Sequence, residues 1–296
     1  MRGTLRSWFV LALLALAACG SIPQGELASF TTAVRQARQA GEAIVADYQA
    51  AGAEKLRRDE ARVRTAAGPA PPTTPFPLDY APPDLAGRPT SPTTVRLLAW
   101  EAIAEYSTVL ARLNAGESVD DVKSSTQRLA DLAGKIASAA GVVVPGADVL
   151  VSVGKELAAR LEQARLAAEF KKAIHGGAPT VRRMLGVFRD DTKPHYVLRS
   201  TLALADYDRL DLDKALSDRD RETKRQRIKA EIDQLRASLD TFVRLLDQTD
   251  ASLAALERAV DKPVDLSMQA GRILDLSLEL KQYWQAYQDA RTEGRS

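Results

Sequence analysis

The sequence predicts an all-α protein, an elongated antiparallel helical bundle. Three observations lead there. Apolar residues recur at steps of three and four along most of the chain. No run of alternating apolar residues flanked by hairpin turn signals occurs. Alanine is abundant and aromatics make up only 5%, and small side chains favour helix and let helices approach closely.

The first helix is expected from about Glu26 to Ala66. Leu27, Phe30, Val34, Ala37, Gly41, Ile44 and Tyr48 mark its apolar face. Its second half, AEKLRRDEARVRTAA, is mostly charged and reads as solvated on all sides. Gly68 to Pro92 then carries nine of the fourteen prolines, so no helix passes through it. It reads as an extended spacer, or else as a docking strip anchored by Phe76, Leu78 and Tyr80. Ser91 and Pro92 suit an N-cap and first-turn proline. Val95, Ala99, Ile103, Tyr106, Leu110 and Leu113 give the next buried face. Asn114 to Asp121 breaks the pattern, with Ser118 and Asp121 resembling a capping box. Val119, Val122, Leu129, Ala133 and Ile136 then form a further face.

A helix from about Ala147 is expected to end at KKAIHGGAP. There Gly176 and Gly177 would supply a left-handed stop and Pro179 would prevent continuation. Two shorter helices are expected after it, near Thr180 to Arg189 and Pro194 to Leu216. Ile228, Ile232, Leu235, Leu239, Phe242, Leu246, Thr249, Leu253, Leu256 and Val260 then keep coiled-coil spacing for more than four heptads. The charged stretch before them reads as a solvated helix end, and a helix from Arg219 to Val260 would be ~60 Å long. Pro263 opens a last helix with Leu266, Ala270, Ile273, Leu280, Trp284 and Tyr287 inside. Short connections favour antiparallel neighbours. The 228–260 stripe, Ile228 to Leu246 above all, is also a candidate partner-binding surface or intermolecular coiled coil.

The domain plan is a leader over 1–18, an anchored N-terminal helix over 19–67, a proline-rich linker over 68–92 and a helical bundle over 93–296. Arg2 and Arg6 precede an apolar run from Trp8 to Leu16 that is short for a membrane span. Leu16-Ala17-Ala18-Cys19 follows and resembles the lipobox of bacterial lipoproteins. The resemblance implies cleavage before Cys19, a diacylglycerol on its sulfur and an acylated amine. Buried acyl methylenes contribute about 0.8 kcal/mol each, and several chains together anchor stably. Gly20 and Ser21 follow in place of the acidic inner-membrane retention signal of enteric lipoproteins, which points to the outer membrane, facing the periplasm. Cys19 is the only cysteine, so no internal disulfide forms.

Net charge is +2, and about zero without Arg2 and Arg6. No unbalanced basic stripe suggests nucleic acid. The least polar internal stretch is Ile136 to Val153, with Asp148 its single charge and a break at Pro145-Gly146. Val142, Val143, Val144, Pro145, Val149, Leu150 and Val151 form either a buried helical corner or an apolar hairpin that enters membranes. In outline it resembles the helical pore-forming toxins of the cytolysin A type, without a matching residue motif. His175 and His195 share no helix turn, which makes a metal or catalytic pair a matter of chance folding. Asp190-Asp191 reads as a helix cap. Asp206, Asp208, Asp211 and Asp213 lack the glycine and glutamate of a calcium loop. Tyr283, Trp284 and Tyr287 read as core packing or an interaction surface. No phosphate loop or nucleophile elbow is present. These readings lead to the expectation of a non-enzymatic, lipid-anchored scaffold or partner-binding protein of the cell envelope. It would need no cofactor or metal and would engage a membrane, a protein partner or its own copy. The alternative is a membrane-inserting helical effector.

Overall fold

The computed structural model describes residues 24–66, 92–139, 166–261 and 269–293. The leader, Cys19, the segment from 67 to 91 and residues 142–151 of the apolar stretch lie outside them, as do Pro263 and Leu266. The described residues form seven helices and no strand: α1 Gln24–Ala66, α2 Pro92–Ala115, α3 Val119–Ser138, α4 Leu166–Asp190, α5 Thr192–Leu212, α6 Asp218–Ala259 and α7 Gln269–Glu293. Together they build one all-α helical bundle around a shared core.

Helix starts follow local chemistry. Ser118 caps α3 by accepting from the Asp121 amide at 3.2 Å, and Ser217 caps α6 through the Asp220 amide at 3.1 Å. In both, the serine hydroxyl also donates to the aspartate carboxylate three residues on. Only the first of these two Ser-x-x-Asp signals was expected. Gly116 ends α2 with φ of 67°, a left-handed turn. Asp191 precedes α5 but makes no capping hydrogen bond. Its carboxylate instead accepts from Nε and Nη2 along one edge of the Arg96 guanidinium from α2, so the expected capping role gives way to a helix-to-helix ion pair.

Two expectations about α4 are corrected. The helix runs through Gly176, Gly177 and Pro179 without a stop, and Thr180 to Arg189 is its continuation. No glycine but Gly116 takes a positive φ among the described residues. Pro179 lacks the N–H that would reach the His175 carbonyl. Nearby, the Tyr106 hydroxyl of α2 donates to the Ala173 carbonyl at 3.0 Å. Packing carries the helix onward: Ala173, Ile174, Ala178, Val181, Met184 and Leu185 are all fully buried. Propensity lost to tertiary burial here.

The glycines are notches. A Cβ on Gly177 would lie 2.3 Å from the Tyr106 ring, and one on Gly41 of α1 would lie 2.4 Å from Trp100. Trp100 and Tyr106 both belong to α2 and both are fully buried. Helix α2 therefore presses one aromatic onto the backbone of α1 and another onto that of α4. Trp100 also stacks on Phe188 of α4, with ring centroids 4.1 Å apart.

Contacts between α1 and α2, between α2 and α4 and between α4 and α6 pair rising with falling residue numbers, so these neighbours are antiparallel. Helices α5 and α7 instead run parallel to α1. They do not follow α1 directly, so short loops do not dictate their direction. Helix α1 is a core member rather than a separate anchored arm: Phe30, Ala33 and Ala37 have no exposure, and it packs on α2, α5, α6 and α7. Its charged second half is docked too, since Arg58 donates to both Asp206 oxygens at 2.8 Å and to the Leu202 carbonyl at 3.1 Å. The apolar stripe of α6 turns inward. Leu235, Leu239, Phe242 and Leu246 are buried, shared among α1, α4, α5 and α7, while Ile228 and Ile232 are half-buried. Those four side chains therefore offer no surface to a partner.

Candidate functional site

Asp47 sits on the apolar face of α1, in step with Ile44 and Ala51, and is 4% exposed. Its carboxylate is met from two other helices. His195 Nε2–H of α5 donates to Oδ2 at 2.9 Å. Arg199, one turn further, donates through Nε at 2.9 Å and through Nη2 at 2.6 Å. From α7, the Tyr287 hydroxyl donates at 3.0 Å and Arg291 adds a further bond. The pairs His195–Arg199 and Tyr287–Arg291 are each four residues apart, which puts both members on one helix face.

The network extends along α1. Arg199 reaches Glu54 at 3.4 Å, and Glu54 holds Arg58, which holds Asp206. Burial pushes the Asp47 carboxyl up, but hydrogen bonds from His195 and Arg199 and the guanidinium charge outweigh this. They hold it well below the usual carboxylate range. Burial, then the Asp47 charge, pushes the Tyr287 hydroxyl up, so it stays a donor. A carboxylate has about four lone-pair sites, and five donors already converge on this one. Asp47 is thus saturated. It locks α1, α5 and α7 together and has no free lone pair with which to take a proton from a substrate.

An opening lies beside this lock. A groove of about 790 Å³ runs between α1 and α7, with Ala40, Ala43, Ile44, Leu245, Leu280 and Trp284 among its lining. Gln36, Gln39, Lys281, Gln282, Gln285 and Asp289 supply its polar members. Ser277 donates to Gln36 at 2.6 Å within the lining, and further along the same two helices Tyr287 and Arg291 hold Asp47. Leu274 and Leu278 continue the helical row of Lys281 and Gln285 and are 47% and 59% exposed.

The other expected residues are dispersed. His175 lies 3.5 Å from Asp261 and 3.7 Å from Glu257, at the far end of α4 from His195. The acidic cluster is divided among arginines, with Asp206 on Arg58 and Asp211 on Arg225. Among the described residues, no three His, Cys, Asp or Glu side chains are grouped to hold a metal. Tyr287 is buried in the lock, and Tyr283 and Trp284 are half-buried. Ile136 is core, while the hairpin residues after it lie outside the described structure. Among the described residues, no helix is long and apolar enough to cross a membrane.

Asp47, Arg199 and Arg291 were not singled out in the sequence. One signal was there: an acid at an inward position of an amphipathic helix. Its partners, 148 and more residues away, left none. No known family, curated protein or solved structure matches this chain.

Proposed function

We propose that this protein is a lipid-anchored scaffold of the cell envelope, tethered through Cys19 and facing the periplasm, that binds an amphipathic helix of a partner protein and performs no catalysis. The observation that carries the reading is the α1–α7 groove. Its apolar floor and amide rim suit a helix laid along it, and residues 277–289 give it a length of ~18 Å at 1.5 Å per residue. Two exposed leucines, Leu274 and Leu278, add apolar surface to the α7 row that carries Lys281 and Gln285. The first helix begins five residues after Cys19, so one wall of the groove belongs to the element nearest the anchor. The saturated Asp47 cluster favours a binding role over a catalytic one.

A photo-crosslinker at Gln285, an exposed rim residue, should trap a defined partner adduct in cells. The same probe at Arg183 on α4 should not. Ala43→Glu places a charge on the groove floor and should abolish the Gln285 adduct while the helical circular dichroism stays unchanged. Adducts of equal yield at both sites, or an adduct indifferent to Ala43→Glu, would remove the groove from the account.

A further inference from the structure

A second cleft, of about 240 Å³, lies between the C-terminal half of α5, the start of α6, the end of α7 and Glu54 of α1. Five cations line it, Arg199, Arg209, Lys224, Arg227 and Arg291, against three carboxylates, Glu54, Asp206 and Glu231. Counting also Asp47 and Arg58, which hold the cleft's charges from behind, six cations meet four acids. An excess of two positive charges remains.

We propose that this cleft binds a phosphate-bearing ligand. Arg199 is 4% exposed and fixed by Asp47, so the back wall is preorganised. The mouth has capacity to spare. Arg209 reaches Asp206 only at 3.6 Å, and that carboxylate already holds Arg58 with both oxygens at 2.8 Å. Among the described residues, Lys224 forms no ion pair. A phosphate monoester carries about −1.5 to −2 charges at neutral pH, which matches the excess. Arginine forks and a lysine point charge are the side chains that recognise phosphate oxygens. The cleft is smaller than the ~300–1,000 Å³ of drug-sized sites, so it takes a phosphate with a small organic group.

The test uses the full-length protein in non-ionic detergent, with inorganic phosphate or glycerol phosphate added at fixed ionic strength and chloride as the reference anion. Both phosphates should raise Tm beyond chloride. Calorimetry should show binding weakened at least tenfold in an Arg209→Ala, Lys224→Ala double variant. Lys281→Ala, in the other groove, should leave binding unchanged. Replacing the soluble probes with phosphatidylglycerol in the micelles separates the sources. A shift with the lipid alone, lost in the double variant, supports a lipid headgroup, and a shift with soluble phosphates supports a free ester. No phosphate-specific shift with any probe, or an equal shift in the double variant, overturns the site.

Discussion

Asp47→Ala should destabilise the protein by about 3–5 kcal/mol, the usual cost of removing one partner from a buried ion pair. For a bundle of this size that corresponds to a fall in Tm on the order of 10 °C. The cost arises because Arg199 is 4% exposed and would keep only one carboxylate partner, Glu54 at 3.4 Å, and because Tyr287 and His195 would lose their acceptor. Asp47→Asn should be nearly as damaging, since the amide keeps the volume but not the charge. Asp59→Ala, which breaks only the half-exposed pair with Lys55 on the same helix, should leave Tm almost unchanged.

The same residue sets an acid limit. Its folded pKa lies well below the unfolded value, so its contribution is complete above about pH 4, the ordinary Asp pKa. It is lost progressively as pH falls below that towards the folded value. The Tm gap between the wild type and Asp47→Asn should therefore be wide at pH 7 and narrow through the acid range. A gap independent of pH between 7 and 3 would contradict the assignment of Asp47 as the ionised centre.

Gly177→Ala should lower stability by about 1–3 kcal/mol, although helix propensity alone would predict a gain of about 1 kcal/mol. The opposite signs make the measurement decisive. The new methyl would fall 2.3 Å from Cε2 of Tyr106 and 2.9 Å from its hydroxyl, and that ring is fully buried with no room to withdraw. In a Tyr106→Leu background the clash is gone, so the same substitution should turn neutral or stabilising. Gly41→Ala should behave likewise against Trp100. Chemical denaturation of the four combinations at each site gives the coupling energy directly. A stabilising Gly177→Ala in the otherwise unchanged protein would mean that α2 does not press on α4.

Periodicity carried most of the fold. Most of each stripe on α1, α2 and α6 is buried, with Tyr48, Ile228, Ile232 and Val260 only half-buried, and Ser118 marked the start of α3. What the sequence misrepresented were positions where tertiary contact overrules a local rule. Gly177 reads as a terminator because glycine frees the backbone, yet it serves as a gap for an aromatic ring. Pro179 reads as a break, yet α4 continues beneath it. The spacing of Leu235 to Leu246 cannot tell a partner from the chain's own helices, because either buries the same face. The candidate sites were less legible still. The Asp47 lock depends on three helices arriving in register, and both clefts are spaces between elements. An acid at an inward position of α1 was its only local trace.

The account rests on α1 and its groove being held at a membrane by a lipid on Cys19. Intact-mass and N-terminal peptide mass spectrometry of the protein extracted from its native membrane tests this most directly. The account predicts a mature chain that begins at Cys19, with a diacylglycerol thioether on the sulfur and an acyl group on the amine. A chain that still carries residues 1–18, or a Cys19 with a free thiol, would contradict it.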